Sequence, residues 1–392
     1  MRLGARILCS NYVAIRLEWW FDWLIRVGSG TIAPLLFHSK QGLCVRFIIL
    51  CLCSFSLNAF AVNVTDLYRV NVPVEDQSEQ SRKLGVQLAF QQLLIKVSGY
   101  PEVLENPTLL DASKNALRYM QGFSYQQDGI DGQTYLQTWF SKALLVPLLR
   151  RAHAPMWGEN RPLLLNWLAI DASNLDSQSA TQALDGGRLL VSEQVPEWKT
   201  RLESAFSDRG LPVLWPLDDL EDQSALSLNQ LWWLINDSIE SASERYQTDA
   251  VLAGKLIQSA EGIWQYEGLL LQGERRLSLS TKGETPLEAL TSASSEVGRF
   301  FADQFAIKSD PMQGRSGLRI VVKKVNDFSD YSKVITYLQS LSGVRLVEVA
   351  QVDRDSLQLY LNLEGDWKKV QRIIQLDNKL FSLQEKEFEW AQ

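Results

Sequence analysis

Leu163-Leu164-Leu165-Asn166-Trp167-Leu168-Ala169-Ile170, residues 163–170, is a run of strand length that is apolar at every position but Asn166. A strand with one wet face alternates apolar and polar side chains, so a continuous run belongs at the centre of a sheet covered on both faces. Arg161-Pro162 precedes it, and the stretch from Asn174 to Gly187, rich in Ser, Asp and Gln, reads as a polar loop. Trp198, Leu202 and Phe206 then space a helix that Gly210 ends, and Pro212 to Leu217 reads as a second strand. Leu228, Leu231, Trp232, Ile235 and Ile239 predict a single amphipathic helix. Strands at Ala250–Ile257, Ile263–Gln272 and Arg276–Thr281 follow. The last helix opens on Thr285-Pro286-Leu287-Glu288, a capping box with Pro at the first helical position. The order strand, helix, strand, helix, three strands, helix predicts a mixed sheet with packed helices over residues 161–308.

On the N-terminal side, residues 62–158 read as a smaller α/β domain. Val64 to Val74 is a predicted strand, and Val86, Phe90, Leu93, Leu94 and Val97 make one stripe of a helix over Glu79–Val97 that Gly99 and Pro101 stop. Pro107 to Met120 reads as helical, and Thr134 to Leu149 as a strand and a connection. On the C-terminal side, beyond Gly314 and Gly317, residues 317–390 give strand, helix, strand, strand, helix and one closing strand over Phe381–Phe388, the ferredoxin-like split βαβ order. The fold class expected is therefore α/β (α+β) and multi-domain.

The expected address is outside the cytoplasm. Arg46, the apolar run Phe47 to Cys53, and Ala59-Phe60-Ala61 supply the charge, the short apolar core and the A-x-A exit of a signal peptide over residues 45–61, cleaved after Ala61. A retained anchor would want about 20 apolar residues. Residues 1–44 read as an upstream extension from a misplaced start. Six of the 39 basic and two of the 46 acidic residues precede Val62, so the mature 331 residues carry 33 and 44, a net charge of −11. Nucleic acid and anionic lipid surfaces are disfavoured partners for such a chain, and no membrane span is expected after cleavage. Cys9, Cys44, Cys51 and Cys53 are all lost with the leader, so the mature chain offers no disulfide, thiolate ligand or Cys nucleophile.

Catalytic signatures are missing: no H-E-x-x-H, G-x-S-x-G, S-x-x-K, P-loop or G-x-G-x-x-G pattern occurs. His153, the single histidine of the mature chain, stands in a solvated connector. No catalytic residue, metal or cofactor is assigned. Asp218 and Asp219, with Glu221 and Asp222, follow a strand and could work as an acid/base pair, or simply be an exposed loop that starts a helix. Asp353 and Asp355 are hairpin-tip chemistry. Trp232 belongs to the core face of its helix, Trp233 lies about 100° around it, and Trp233 and Trp264 are the candidates for contacting a ligand or partner. Lys323-Lys324 and Lys368-Lys369 read as solvated ends of elements, and the sequon Asn63-Val64-Thr65 is too short a match to carry weight.

Leu67-Tyr68, Ala89-Phe90-Gln91-Gln92-Leu93-Leu94-Ile95-Lys96-Val97-Ser98-Gly99, Phe123-Ser124-Tyr125, the stretch Arg161 to Ala169 and the stretch Asp249 to Ile257 together resemble the domain-of-unknown-function 2066 family of Gram-negative envelope proteins. The resemblance covers roughly residues 62–390 and implies a periplasmic setting, with no activity or catalytic residues to carry over. The middle domain also resembles the TolB N-terminal type, whose members scaffold envelope assemblies. The expected function is thus a noncatalytic binding or scaffold protein with an envelope protein as partner, its oligomeric state left open. A small-ligand receptor built on Trp233 or Trp264 and a carboxylate-dependent hydrolase of glycan or peptide are the alternatives.

Overall fold

The computed structural model describes residues 64, 66–127, 133–171, 188–309 and 317–391. These form an α/β multi-domain protein with sheets of three, six and five strands. The predicted loop at 174–187, Gly314, the sequon residues Asn63 and Thr65, and the cleavage residues Ala59 and Ala61 lie outside the described residues.

Strand β1 (Arg69–Val74) leads into α1 (Glu79–Ser98). Ser78 caps this helix by accepting the Ser81 N–H, and Gly99 closes it at φ 80°, where its N–H reaches the Ile95 carbonyl at 2.7 Å. A side chain at Gly99 would be strained and would meet Ala302. The predicted apolar stripe is buried. A 3₁₀ turn (Pro101–Glu105), α2 (Pro107–Lys114), a second 3₁₀ turn (Ala116–Arg118), β2 (Met120–Gln127), β3 (Thr134–Phe140) and α3 (Lys142–Arg151) complete the module, whose antiparallel sheet runs β1-β3-β2. Three expectations change here. Residues 66–68 turn rather than extend. The stretch to Met120 is a helix plus a 3₁₀ turn. The segment after β3 is a true helix, with Pro147 inside it. Strand β2 was not expected, because Met-Gln-Gly-Phe-Ser-Tyr-Gln-Gln has no apolar alternation and carries a bulge at Gly122.

The short β4 (Pro155–Met156) precedes β5 (Leu164–Asp171), which is buried on both faces over Leu164–Ile170, as its sequence predicts. Then come β6 (Arg188–Val191), α4 (Pro196–Ser207), β7 (Val213–Leu214), α5 (Leu220–Ala225), α6 (Leu228–Trp232), α7 (Asn236–Ser243), β8 (Ala250–Gln258), β9 (Trp264–Gln272), β10 (Arg275–Gly283) and α8 (Pro286–Phe305). The sheet runs β10-β9-β8-β5-β6, with β7 beside the start of β5, and β5 parallel to β8. Leu164, Leu168 and Ile170 pack toward α4 and α8, while Leu165, Trp167 and Ala169 pack toward α6 and α7. The single helix predicted over Leu228–Ile239 is two helices. Leu234 turns into the left-handed region at φ 51°, and the Leu234 and Ile235 N–H groups close back on Leu231 and Gln230. The chain accepts that strain, on the order of 1 kcal/mol, and buries Leu231, Trp232 and Ile239 on one sheet face from two directions. At α8, Thr285 accepts the Glu288 N–H as expected. The Glu288 carboxylate, however, reaches the Glu284 N–H instead of closing the predicted capping box.

After β11 (Ile307–Lys308), which pairs with β4, the C-terminal module comprises β12 (Leu318–Lys323), α9 (Phe328–Ser340), β13 (Val344–Asp353), β14 (Ser356–Leu363), α10 (Trp367–Asp377), β15 (Leu380–Gln384) and β16 (Glu387–Trp390). Its sheet order is β13-β14-β12-β16-β15. The expected split βαβ order holds through α10. The single closing strand is instead a hairpin turning at Glu385-Lys386, and its second arm returns parallel to β12.

The modules share their interiors. One continuous apolar core runs from Trp157 and Leu164 through α8 to Ile320, Val334, Val370 and Phe388. The fully buried Arg161 guanidinium donates to the carbonyls of Lys96, Trp157, Gly158 and Arg209 at 2.8–3.0 Å and lies over the Trp157 ring. Asp377 accepts from Tyr337 at 2.8 Å and from Asn160, and Arg150 pairs with Glu364 at 2.8 Å. The N-terminal module is therefore fixed to the rest at several points.

Candidate functional site

A groove of about 700 Å³ lies in the N-terminal module between α1, α2, the second 3₁₀ turn and α3. Its geometry begins with Asn106, which caps α2 by accepting the Thr108 N–H at 3.0 Å. The Asn106 amide also donates to the Ala152 carbonyl at 2.9 Å, so the start of α2 is bound to the end of α3. Ala112, Ala116, Tyr119 and Leu148 form the floor and belong to the core beneath, where Tyr119 stacks on Phe90 at 5.0 Å.

Four cations ring this floor: Lys83 from α1, Lys114 at the end of α2, Arg118 at the end of the 3₁₀ turn and Arg151 at the end of α3. All four are exposed, and among the described residues none of their side chains has a hydrogen bond or ion pair. Asp111 is the single carboxylate on the lining. A helix C-terminus carries at most about half a negative charge, so three such ends plus Asp111 still leave the groove positive. In a chain of net charge −7, that is a local reversal of sign. Sequence reading missed this site because its cations come from four separate elements and form no run. The signal that could have found it is the recurrence of a lone cation at successive helix ends.

The acidic loop is a closed knot. Arg245 grips both oxygens of Asp219 at 2.7 and 2.9 Å and reaches Asp222 at 3.0 Å, while Tyr246 donates to Asp222 at 2.5 Å. Asp219 also caps α5 through the Glu221 and Asp222 N–H groups. The Arg245 hydrogen bonds hold the Asp219 carboxyl well below the usual carboxylate range, whereas burial raises Asp218. Asp218 takes φ 56° and is bound by Gln223 and Ser192. Asp219 is thus a capping carboxylate neutralised by arginine, a poor proton donor at neutral pH, and its lone pairs are engaged. Among the described residues no group of three or more His, Cys, Asp or Glu is placed to hold a metal ion.

The two tryptophan candidates part company. Trp264 is 5 % exposed and packs in the core on the α4/α8 side of the sheet, so neither ring face is open. Trp233 is 70 % exposed at the end of α6, on the opposite side, with the Lys255 ammonium 5.7 Å from its ring. The sheet separates them, and they cannot line one pocket. Trp232 is core, covered by Arg188 at 4.2 Å. His153 is exposed in a turn. Lys323 and Lys324 pair with Glu387 and Glu389 across the sheet, and Lys369 donates to the Ala306 carbonyl.

Fold and site together describe an α/β multi-domain protein with a cationic groove on its N-terminal module. The family model that matches this chain is described as Domain of unknown function (DUF8605) and spans residues 61–158, the stretch that carries the groove. No curated protein matches. Among solved structures, a formyltetrahydrofolate deformylase from Burkholderia mallei aligns at 11 % identity over 50 % of this chain and 87 % of that one, with a TM-score of 0.11, too low to carry argument.

Proposed function

We propose that this chain is an exported, noncatalytic binding or scaffold protein of the Gram-negative cell envelope, and that its N-terminal groove receives an anionic group of an envelope partner. The observation that carries the reading is the ring of four exposed, unneutralised cations around a groove in an acidic chain. Charges left unpaired on a surface otherwise rich in ion pairs favour steering and specificity toward an oppositely charged partner. Further support comes from the signal-like segment at residues 45–61 and from the ties that hold the modules in fixed relation. The kinship with the domain-of-unknown-function 2066 family is part of the same proposal and rests on residue likeness alone. Among the described residues, no helix is long and apolar enough to cross a membrane.

The test is a photo-crosslinking side chain at Gln87, on the groove lining, in intact cells. The reading expects an adduct with one envelope protein that disappears when Arg118 and Arg151 are both changed to Glu. An adduct indifferent to that reversal, or full-length protein retained in the cytosol with Met1 attached, would refute it.

A further inference from the structure

Resting on that reading, we propose that the groove binds a peptide segment of a partner protein in which carboxylates alternate with apolar side chains, rather than a compact phosphate. Three features separate these ligands.

The cations come from separate elements. Lys83, Arg118 and Arg151 stand on three different elements around the rim, an arrangement that suits charges spread along a chain. A single phosphate instead wants donors focused on one point, and commonly a helix N-terminus.

The groove meets the C-termini of α2 and α3 and the end of the 3₁₀ turn, while the α2 N-terminus, which Thr108 also brings to the lining, has its Thr108 N–H already taken by the Asn106 side chain. Several carbonyls at these ends are already engaged: Leu148, Leu149 and Arg150 accept from the N–H groups of Ala152, Ala154 and His153, and Ala112 accepts from Asn115. The negative ends of these helices oppose a compact dianion more than they oppose a singly charged carboxylate.

The rim is also apolar. Leu84 and Leu88, both about half exposed, adjoin the lining residues Lys83 and Gln87 on α1 without lining the groove themselves. On α3, Leu144, Leu148 and Arg151 fall at i, i+4 and i+7, so the half-exposed Leu144 lies one turn from the floor residue Leu148 on the same helix face. Leu117 stands half exposed between Ala116 and Arg118. Apolar anchors flanked by charges are what a peptide with mixed side chains can satisfy and a free phosphate cannot.

The experiment measures fluorescence anisotropy of a labelled Glu/Leu peptide against the mature protein from residue 62. Comparison ligands are a Gln/Leu peptide, a Glu/Ser peptide, inorganic phosphate and phosphatidylglycerol vesicles. The Glu/Leu peptide is expected to bind, to weaken as salt rises and to lose at least about tenfold in affinity with Arg118→Glu/Arg151→Glu. Replacing Leu84 and Leu88 by Ser is expected to weaken it as well. Lys282→Glu, an exposed change on β10, serves as the control and should leave affinity unchanged. Since every changed side chain is exposed, folding is preserved, and circular dichroism checks this. If phosphate or vesicles bind through Arg118 and Arg151 while the peptide does not, the peptide inference falls and the anion-binding groove stands. Should the Gln/Leu peptide bind equally well, charge is irrelevant and the inference also falls. If no ligand binds and no crosslink forms at Gln87, both readings fall together.

Discussion

Gly268→Ala should destabilise this protein, although the same change usually helps a strand. In β9 the Tyr266 side chain leans along the sheet across Gly268 and across Gly254, its neighbour on β8. A Cβ at residue 268 would stand 2.3 Å from Oη and 2.6 Å from the ring; at residue 254 the distances are 2.4 and 2.5 Å. Tyr266 is fully buried in the core and has no space to swing away. Relief of glycine's backbone entropy is worth roughly 0.5–1 kcal/mol in favour of Ala, whereas overpacking a filled core costs about 1–3 kcal/mol. The overpacking wins, for a net loss of about 2 kcal/mol. In a Tyr266→Ala background the obstruction is gone, so Gly268→Ala should become neutral or stabilising, with a coupling energy of about 2 kcal/mol. Urea denaturation of the mature chain, followed by tryptophan fluorescence, measures all four corners of the cycle. A Gly268→Ala protein as stable as the parent, or effects that add within about 0.5 kcal/mol, would show that the tyrosine does not occupy the slot. Tyr266→Phe supplies an internal check: the buried hydroxyl has no hydrogen-bond partner, so its removal should cost nothing.

Lys96 is buried at the end of α1, where it donates to the Asp66 and Arg69 carbonyls, and burial first, then the Arg161 charge, lowers its pKa to about 8. Between that value and the ordinary lysine range the unfolded chain holds a proton that the folded one has released. Stability should therefore rise as pH climbs from about 8 toward 10, and denaturation midpoints for Lys96→Met should lose that slope. An unchanged slope would assign it to another group. Arg245→Met removes the cation that grips Asp219 and Asp222, leaving the buried Asp222 with Tyr246 and the Asp218 N–H. The first turn of α5 should then exchange its amide hydrogens faster while β8 and β9 stay protected, and equal protection would mean the knot does not hold the loop. The N-terminus of the exported product, read by mass spectrometry, should be Val62; a product beginning at Met1 would contradict the cleavage expected after Ala61.

Legibility in the sequence followed the strength of local signals. Strand β5 and helix α1 were readable because Leu164–Ile170 and the Val86–Val97 stripe are filled by burial, and burial selects residue type. Strand β2 was hidden because it lies half exposed at a sheet edge, where Gln and Ser satisfy it as well as Val would. Helix α3 was hidden by Pro147, and the break at Leu234 by a leucine in a conformation that leucine rarely takes. For the site, periodicity could rank Trp232 as core and Trp233 as exposed, since both stand on one element. Trp264 needed the sheet, because only the register shows which face of β9 it occupies. The groove depends on four elements meeting, and a one-dimensional reading registers four cations at scattered positions.

How the modules are joined bears on what the groove can do. Ordinary connections between domains are polar and permit relative motion, yet here the join at residues 155–161 is anchored by two buried groups, Trp157 and Arg161. Among the described residues Arg161 has no carboxylate partner; its charge is spread over four carbonyls from α1, the connector and the end of α4, and over the face of Trp157. A carboxylate could have bound that guanidinium from one segment alone. Carbonyl ligation requires several segments to be in place at once, so the cation is satisfied only when the N-terminal and middle modules are docked, and a buried charge left half satisfied is costly. Docked or not is therefore close to an all-or-none choice, as fits a chain whose core continues through α8 into the C-terminal sheet. A groove on a body of this kind keeps its orientation relative to the other two modules. A partner segment bound there would meet the remaining surface in one fixed geometry, which is the property that a scaffold needs and that a flexible string of domains lacks.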